Sequence, residues 1–123
     1  MKKLLLVGLI FGCTVASAAD YKTLLTGKKL VMQGASCAGI SLTKNAGLLS
    51  EGSSSCSVDL STRVKWVDED TFILIEKIKT NETSPPRVYL YNIKSIKGNK
   101  VVLSEIWTGW NSFPDEEITY TIK

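Results

Sequence analysis

The residues best suited to recognise another molecule form one short segment near the carboxyl end of the chain. It combines large aromatic side chains with residues typical of loops: Trp107, Gly109, Trp110, Asn111, Phe113 and Pro114. Binding residues lie on loops more often than on strands, and an exposed aromatic side chain can bind a sugar, an apolar ligand or a partner protein. We therefore take Trp107, Trp110, Asn111 and Phe113 as candidate binding residues. The alternative is that Trp110 and Phe113 fold back over the open end of the core as a plug.

Two polar residues interrupt the apolar pattern of a neighbouring hairpin and are further candidates. Gly98-Asn99 lies between two β-type segments and predicts a two-residue turn of type II′, because glycine accepts a positive φ. A regular ladder from that turn places Leu90 opposite Trp107 and Tyr91 opposite Ile106. It also places Asn92 opposite Glu105. This pair is either a polar cluster on the surface beside the core or a polar spot inside a barrel that orients a ligand.

The chain offers little for catalysis. It contains no histidine, which excludes Ser-His and Cys-His pairs and imidazole ligands for a metal. Half of its twelve carboxylates occur in the turn-like runs 68–70 and 115–117, where solvation explains them. No pair is isolated in the apolar surroundings that raise a pKa for acid catalysis. We therefore expect a protein that is not an enzyme and has no cofactor or metal site.

Residues 1–18 have the pattern of a secretory signal peptide. Lys2 and Lys3 precede an apolar stretch from Leu4 to Val15, and Ala16-Ser17-Ala18 supplies the small residues of a cleavage site. The stretch is too short to span a hydrocarbon core of about 30 Å as a stable helix, and no later run is long enough. We expect a mature domain of residues 19–123, periplasmic or secreted in a bacterium, without stable membrane insertion.

Cys13 allows a different interpretation of the same segment. Ile10-Phe11-Gly12-Cys13 partly matches a lipoprotein box, although Phe11 is bulky where a small residue is usual. Lipidation of Cys13 would tether the same domain to a membrane.

The net charge of the chain argues against a nucleic-acid partner. Lys2 and Lys3 supply two of the formal +3 charges and leave with the signal peptide. The remaining sequence has no stripe of Lys and Arg of the kind that phosphate backbones require, so we expect no nucleic-acid binding.

Two cysteines remain after cleavage, Cys37 and Cys56. An even number in an oxidising compartment predicts one disulfide, whose loop of roughly 20 residues would contribute about 3 kcal/mol in the chain-entropy model. Their spacing does not match a Cys-x-x-Cys redox motif, and two thiolates alone make a poor zinc site. We therefore expect a structural bridge.

The rest of the pattern is that of short β-strands joined by turns. Residues 56–67 alternate between apolar and polar side chains, which predicts a strand with one buried face. Other strands are expected at 28–33, 40–43, 48–51, 71–79, 87–97, 100–107 and 117–122, with a helical turn or an extended arm at 20–26. Seven or eight strands in roughly 100 residues favour an antiparallel meander closing into a small all-β barrel, with a sandwich as second choice.

The expected barrel is narrow, and large inward side chains should fill it: Leu60, Val64, Trp66, Leu90 and Trp107. We therefore expect an exported binding protein of the bacterial envelope, of inhibitor or accessory type, that recognises a protein or a surface polymer through its loops. The alternative is a lipocalin-like carrier of a small apolar ligand in the lumen. The expected architecture resembles calycin-type barrels and the small periplasmic barrels that inhibit lysozyme, although the lipocalin Gly-x-Trp signature near the first strand is missing.

Overall fold

The protein folds as a closed antiparallel barrel of eight strands, seen in a computed structural model that describes residues 21–50, 59–79 and 83–123. Each strand pairs with its neighbours in sequence, and the first strand also pairs with the last. A short helix, α1 at Tyr21–Leu25, precedes the strands: β1 Lys29–Met32, β2 Gly39–Leu42, β3 Ala46–Ser50, β4 Asp59–Asp68, β5 Thr71–Glu76, β6 Val88–Lys97, β7 Lys100–Ile106 and β8 Glu116–Ile122. The predicted barrel is confirmed, and the sandwich is wrong.

The two ends of the barrel differ. At one end, here called the helix rim, β1 begins and α1 buries the side chain of Leu25 completely within the hydrophobic core. At the other, here called the loop rim, β1, β3, β5 and β7 finish and the connection from β7 to β8 lies. The candidate aromatic segment therefore belongs to the loop rim, because residues 107–115 form that connection.

The core occupies the lumen between the two rims, and its buried side chains come from α1 and six strands. Its buried members are Leu25, Leu30, Ile40, Leu42, Phe72, Leu74, Tyr91, Ile93, Val101, Leu103 and Tyr120. The alternation predicted for β4 is confirmed where the strand is described: Val64 and Trp66 pack against this core, whereas Arg63 and Lys65 are exposed. Burial of one such aliphatic side chain contributes about 1.5–3 kcal/mol, so this lumen is the main source of stability.

The β6–β7 hairpin contains a β-bulge that the regular ladder did not anticipate. The turn is as predicted, since Gly98 has a φ of 61° and Lys97 pairs with Lys100. Between Ile93 and Ser95, however, the register shifts by one residue, and Lys94 is the extra residue. Beyond the bulge, Asn92 lies opposite Ser104 and not opposite Glu105.

The same shift corrects the pairs predicted further from the turn. Leu90 pairs with Ile106 and not with Trp107, and Tyr91 pairs with Glu105 and not with Ile106. The physical reason is burial. A regular ladder would direct Lys94 and Asn92 into the lumen, at a high desolvation cost. The bulge leaves Lys94 exposed and buries Ile93 and Tyr91 instead.

Candidate functional site

The lumen is not filled at the loop rim, where it contains a partly open cavity of about 260 Å³. The cavity is lined by Met32, Ala38, Gly39, Ile40, Leu49, Ser50, Leu60, Tyr89, Tyr91, Glu105 and Tyr120. The prediction that large side chains fill the lumen is therefore wrong at this end. Two of the expected filling residues lie elsewhere: Trp107 is 44% exposed, and Leu90 is not part of the core.

Five of these described lining residues have polar side chains: Ser50 and four larger ones, Tyr89, Tyr91, Glu105 and Tyr120, which we call the lumen site. Across the described part of the chain, no hydrogen bond reaches the three tyrosine hydroxyls or the carboxylate, and no side-chain oxygen is sealed off without a partner. Tyr91 and Tyr120 are 3% and 2% exposed, so their hydroxyl groups can meet solvent only through the cavity. Because buried polar groups normally have a partner, these oxygens are available to water or to a ligand.

The electrostatic surroundings of Glu105 favour its neutral form. Partial burial raises the pKa of the Glu105 carboxyl, and the negative charge of Glu116, directly opposite on β8, raises this pKa further. Burial likewise raises the pKa of Tyr91 and of Tyr120, and the charge of Glu105 adds to both effects. Both tyrosines therefore remain protonated at neutral pH and can donate a hydrogen bond.

Arg87, at the loop rim, forms an ion pair with Glu76. The guanidinium and the backbone N–H of Arg87 each donate to the carboxylate of Glu76 at 3.0 Å, which holds the pKa of Glu76 below its usual value. This contact joins the end of β5 to the residue before β6. No described lysine or arginine forms an ion pair with Glu105.

The structure separates the predicted pair of Asn92 and Glu105. The Asn92 amide donates to the Thr71 hydroxyl at 3.0 Å and to the Asp70 carbonyl at 3.4 Å. These bonds join β6 to the turn between β4 and β5 at the helix rim, so Asn92 has a structural role there. Of these two residues, Glu105 lines the cavity and Asn92 does not. Sequence reasoning missed the three tyrosines; for Tyr89 and Tyr91 the reason is that the bulge at Lys94 decides which face of β6 turns inward.

The connection from β7 to β8, residues 107–115, is held in shape by its own contacts, and we call it the aromatic loop. The backbone N–H of Trp107 donates to the Asp115 carboxylate at 2.8 Å, and its indole N–H donates to the Trp110 carbonyl at 2.8 Å. The Trp107 and Phe113 rings meet edge to face, with centroids 5.1 Å apart. Any side chain at Gly109 would collide with the Trp107 ring.

This loop presents apolar surface to solvent. Trp110 is 88% exposed and Phe113 is 57% exposed, and neither packs against the core. The alternative in which these two residues plug the core is therefore not what the structure shows. Asn111 has a φ of 69°, a left-handed conformation that asparagine tolerates better than most residues, and it forms the bend between them.

Several predictions on export and cross-linking fall outside the described residues. The signal peptide, Cys13 and Cys56 lie there, whereas Cys37 lies in the described connection between β1 and β2. The bridge between Cys37 and Cys56 therefore stays a prediction. Within the described ranges, no helix is long and apolar enough to cross a membrane, and no group of three potential ligands could hold a metal ion.

Comparisons with protein-family models, with curated protein sequences and with solved structures find no match for this chain. Its function is therefore inferred from the chemistry of the aromatic loop and the lumen site.

Proposed function

We propose that this chain is an exported, non-enzymatic binding protein of the bacterial envelope that recognises a protein or a surface polymer through the aromatic loop. The observation that carries the proposal is the exposure of Trp110, 88%, on a loop fixed by its own hydrogen bonds. Exposed tryptophan at the tip of an ordered loop contributes nothing to the core, and tryptophan is among the residues that dominate binding energy at interfaces.

The internal contacts of the loop favour tight binding. A partner that meets an already ordered loop avoids most of the entropy cost of immobilising it. Trp107 supplies this order through its hydrogen bonds, while Trp110 and Phe113 supply the contact surface. The Thr108 hydroxyl also donates to the Val88 carbonyl at 3.4 Å, which attaches the loop to β6. Val88 is itself 40% exposed.

Binding of labelled protein to fractionated envelope material tests this proposal. Truncation of a central tryptophan costs about 2 kcal/mol or more, so Trp110→Ala should weaken binding about 30-fold. Val67→Ala is the matched control, because Val67 is 49% exposed but lies near the helix rim. Protease treatment of the envelope distinguishes a protein partner from a polymer. Equal binding by wild type and Trp110→Ala would overturn the proposal.

Export is tested separately from binding. Expression of the full chain in a bacterium, followed by N-terminal sequencing of the periplasmic fraction, should give a mature chain that begins at Ala19. Retention of Met1 on the recovered protein would contradict the signal peptide, and acylation of Cys13 would favour the lipoprotein alternative.

A second candidate function is that of a carrier with its ligand in the lumen, and the cavity favours it. Its volume of about 260 Å³ lies just below the roughly 300–1,000 Å³ typical of ligand pockets, so only a small ligand would fit. Extraction of the purified protein followed by mass spectrometry tests this function. A stoichiometric small molecule would support the carrier.

A further inference from the structure

We propose that the lumen site binds a small organic cation, an ammonium compound with a compact apolar body whose charged group meets Glu105. This inference rests on the second candidate function, a ligand in the lumen, and gives that ligand a chemical class.

Charge is the first argument. Among the described residues that line the cavity, Glu105 alone carries a charged group, and Glu116 lies directly opposite it on β8. No described residue offers Glu105 a hydrogen bond or an ion pair. A carboxylate that is half-buried beside a second carboxylate gains most from a positive partner, which satisfies one charge and reduces the repulsion between the two.

The aromatic lining is the second argument. Tyr89, Tyr91 and Tyr120 surround the cavity with electron-rich rings, which attract cations at short range. Their hydroxyl oxygens carry no hydrogen bond from any described residue and can accept one from an ammonium N–H. Tyrosine rings beside a carboxylate therefore match a charged ammonium head, while Met32, Ile40 and other apolar lining residues match its body.

Two other ligand classes fit these groups less well. A carboxylate, such as that of a fatty acid, would meet Glu105 and Glu116 and be repelled while either is ionised. A neutral apolar molecule would displace water from Glu105 without replacing its hydrogen bonds, which is costly. The volume of about 260 Å³ also limits the ligand to one compact molecule and excludes a long acyl chain held entirely inside.

Three probes of one shape and different charge test the inference by titration calorimetry and NMR: cyclohexylmethylammonium, cyclohexylmethanol and cyclohexanecarboxylate. The ammonium probe should bind at one site per chain, and about tenfold or more tighter than the alcohol, because a charge-assisted hydrogen bond contributes at least that factor. Glu105→Gln should remove this preference while leaving alcohol binding unchanged or improved. Glu117→Gln is the matched control, because Glu117 neighbours Glu116 but does not line the cavity.

The outcomes separate this inference from the carrier function on which it rests. If alcohol and ammonium bind wild type equally, or the carboxylate binds best, the lumen takes ligands but the inference is wrong. If no probe causes shifts at Tyr89, Tyr91 or Tyr120, both the carrier function and the inference fail. The comparison of the three probes on wild type decides the matter even if Glu105→Gln does not fold.

Discussion

Deletion of Lys94 tests whether Lys94 is the extra residue that the bulge in β6 accommodates. Lys94 is exposed and is the extra residue between the pairs Ile93–Leu103 and Ser95–Val102. Without it, these two pairs become consecutive steps of a regular ladder. Every other pair between β6 and β7 is kept, so each side chain stays on its present face. This is unusual, because removal of one residue from a strand normally turns part of it inside out.

The expected loss of stability is small for this deletion. No buried apolar group is removed, and the change is confined to the exposed side of β6. We therefore expect the free energy of unfolding to fall by less than about 2 kcal/mol, within the range of ordinary single changes. The cavity should also persist, because Tyr91 and Glu105 remain paired.

Deletion of Arg63 is the matched control. Arg63 is also basic and exposed, but it lies where the ladder between β4 and β5 is regular, from Thr62 to Trp66. If the residues after the deletion shift, Val64 and Trp66 turn away from the core. If the residues before it shift, Leu60 and Thr62 turn outward. In the first case the core loses two apolar side chains, worth up to about 3–6 kcal/mol together, a large part of the 5–15 kcal/mol that stabilises a domain. In the second, the buried Thr62 hydroxyl also loses its hydrogen bond to the Gly47 carbonyl.

Urea denaturation followed by tryptophan fluorescence and circular dichroism measures both variants. The Lys94 deletion should unfold cooperatively near the wild-type midpoint, whereas the Arg63 deletion should be unfolded or lose most of its stability. Similar losses in the two variants, or an unfolded Lys94 deletion, would refute the reasoning about the bulge.

Three further predictions concern single sites. Burial raises the pKa of Glu105 above its unfolded value, so wild type should lose stability as pH rises from the unfolded to the folded pKa. Relative to wild type, Glu105→Gln should therefore be more stable near about pH 7 but not near about pH 3. A difference in urea midpoint that stays constant with pH would contradict this. A methyl group at Gly39 would overlap the backbone carbonyl of Leu30, so Gly39→Ala should cost about 3 kcal/mol or more in urea denaturation, and an unchanged midpoint would rule out the close approach of β1 and β2. The mature, unreduced chain should show no reaction of Cys37 or Cys56 with a thiol reagent, and titration of two free thiols would disprove the bridge.

Much of the sheet could be predicted because several segments keep polar and apolar residues on opposite faces. In β4, exposed Arg63 and Lys65 alternate with Val64 and Trp66, and this period of two indicates a strand with one wet face. The turn at Gly98-Asn99 was equally predictable from the sequence, because a positive φ at the first turn position favours glycine. Local chemistry decides both features.

The lining of the cavity was not predictable by the same reasoning. Alternation stops at Ile93-Lys94-Ser95-Ile96, where two polar residues stand between two isoleucines, and this interruption was the available signal for a bulge. Whether a strand bulges or slips depends on which side chains the other strands need inside. The placement of Glu105 is therefore a property of the whole barrel, as is the exposure of Trp110.

Closure of the sheet restricts how this protein can meet a partner. The pairing of β1 with β8, through Leu30–Ile122, Val31–Thr121 and Met32–Tyr120, occupies the backbone groups that a lateral strand would otherwise expose. The described sheet therefore has no unpaired edge strand to which an extended peptide could add, or through which two copies could pair edge to edge. A partner of the described sheet would therefore be bound through side chains and not through strand addition. Affinity that depends on side chains is more sensitive to single substitutions than affinity from main-chain hydrogen bonds.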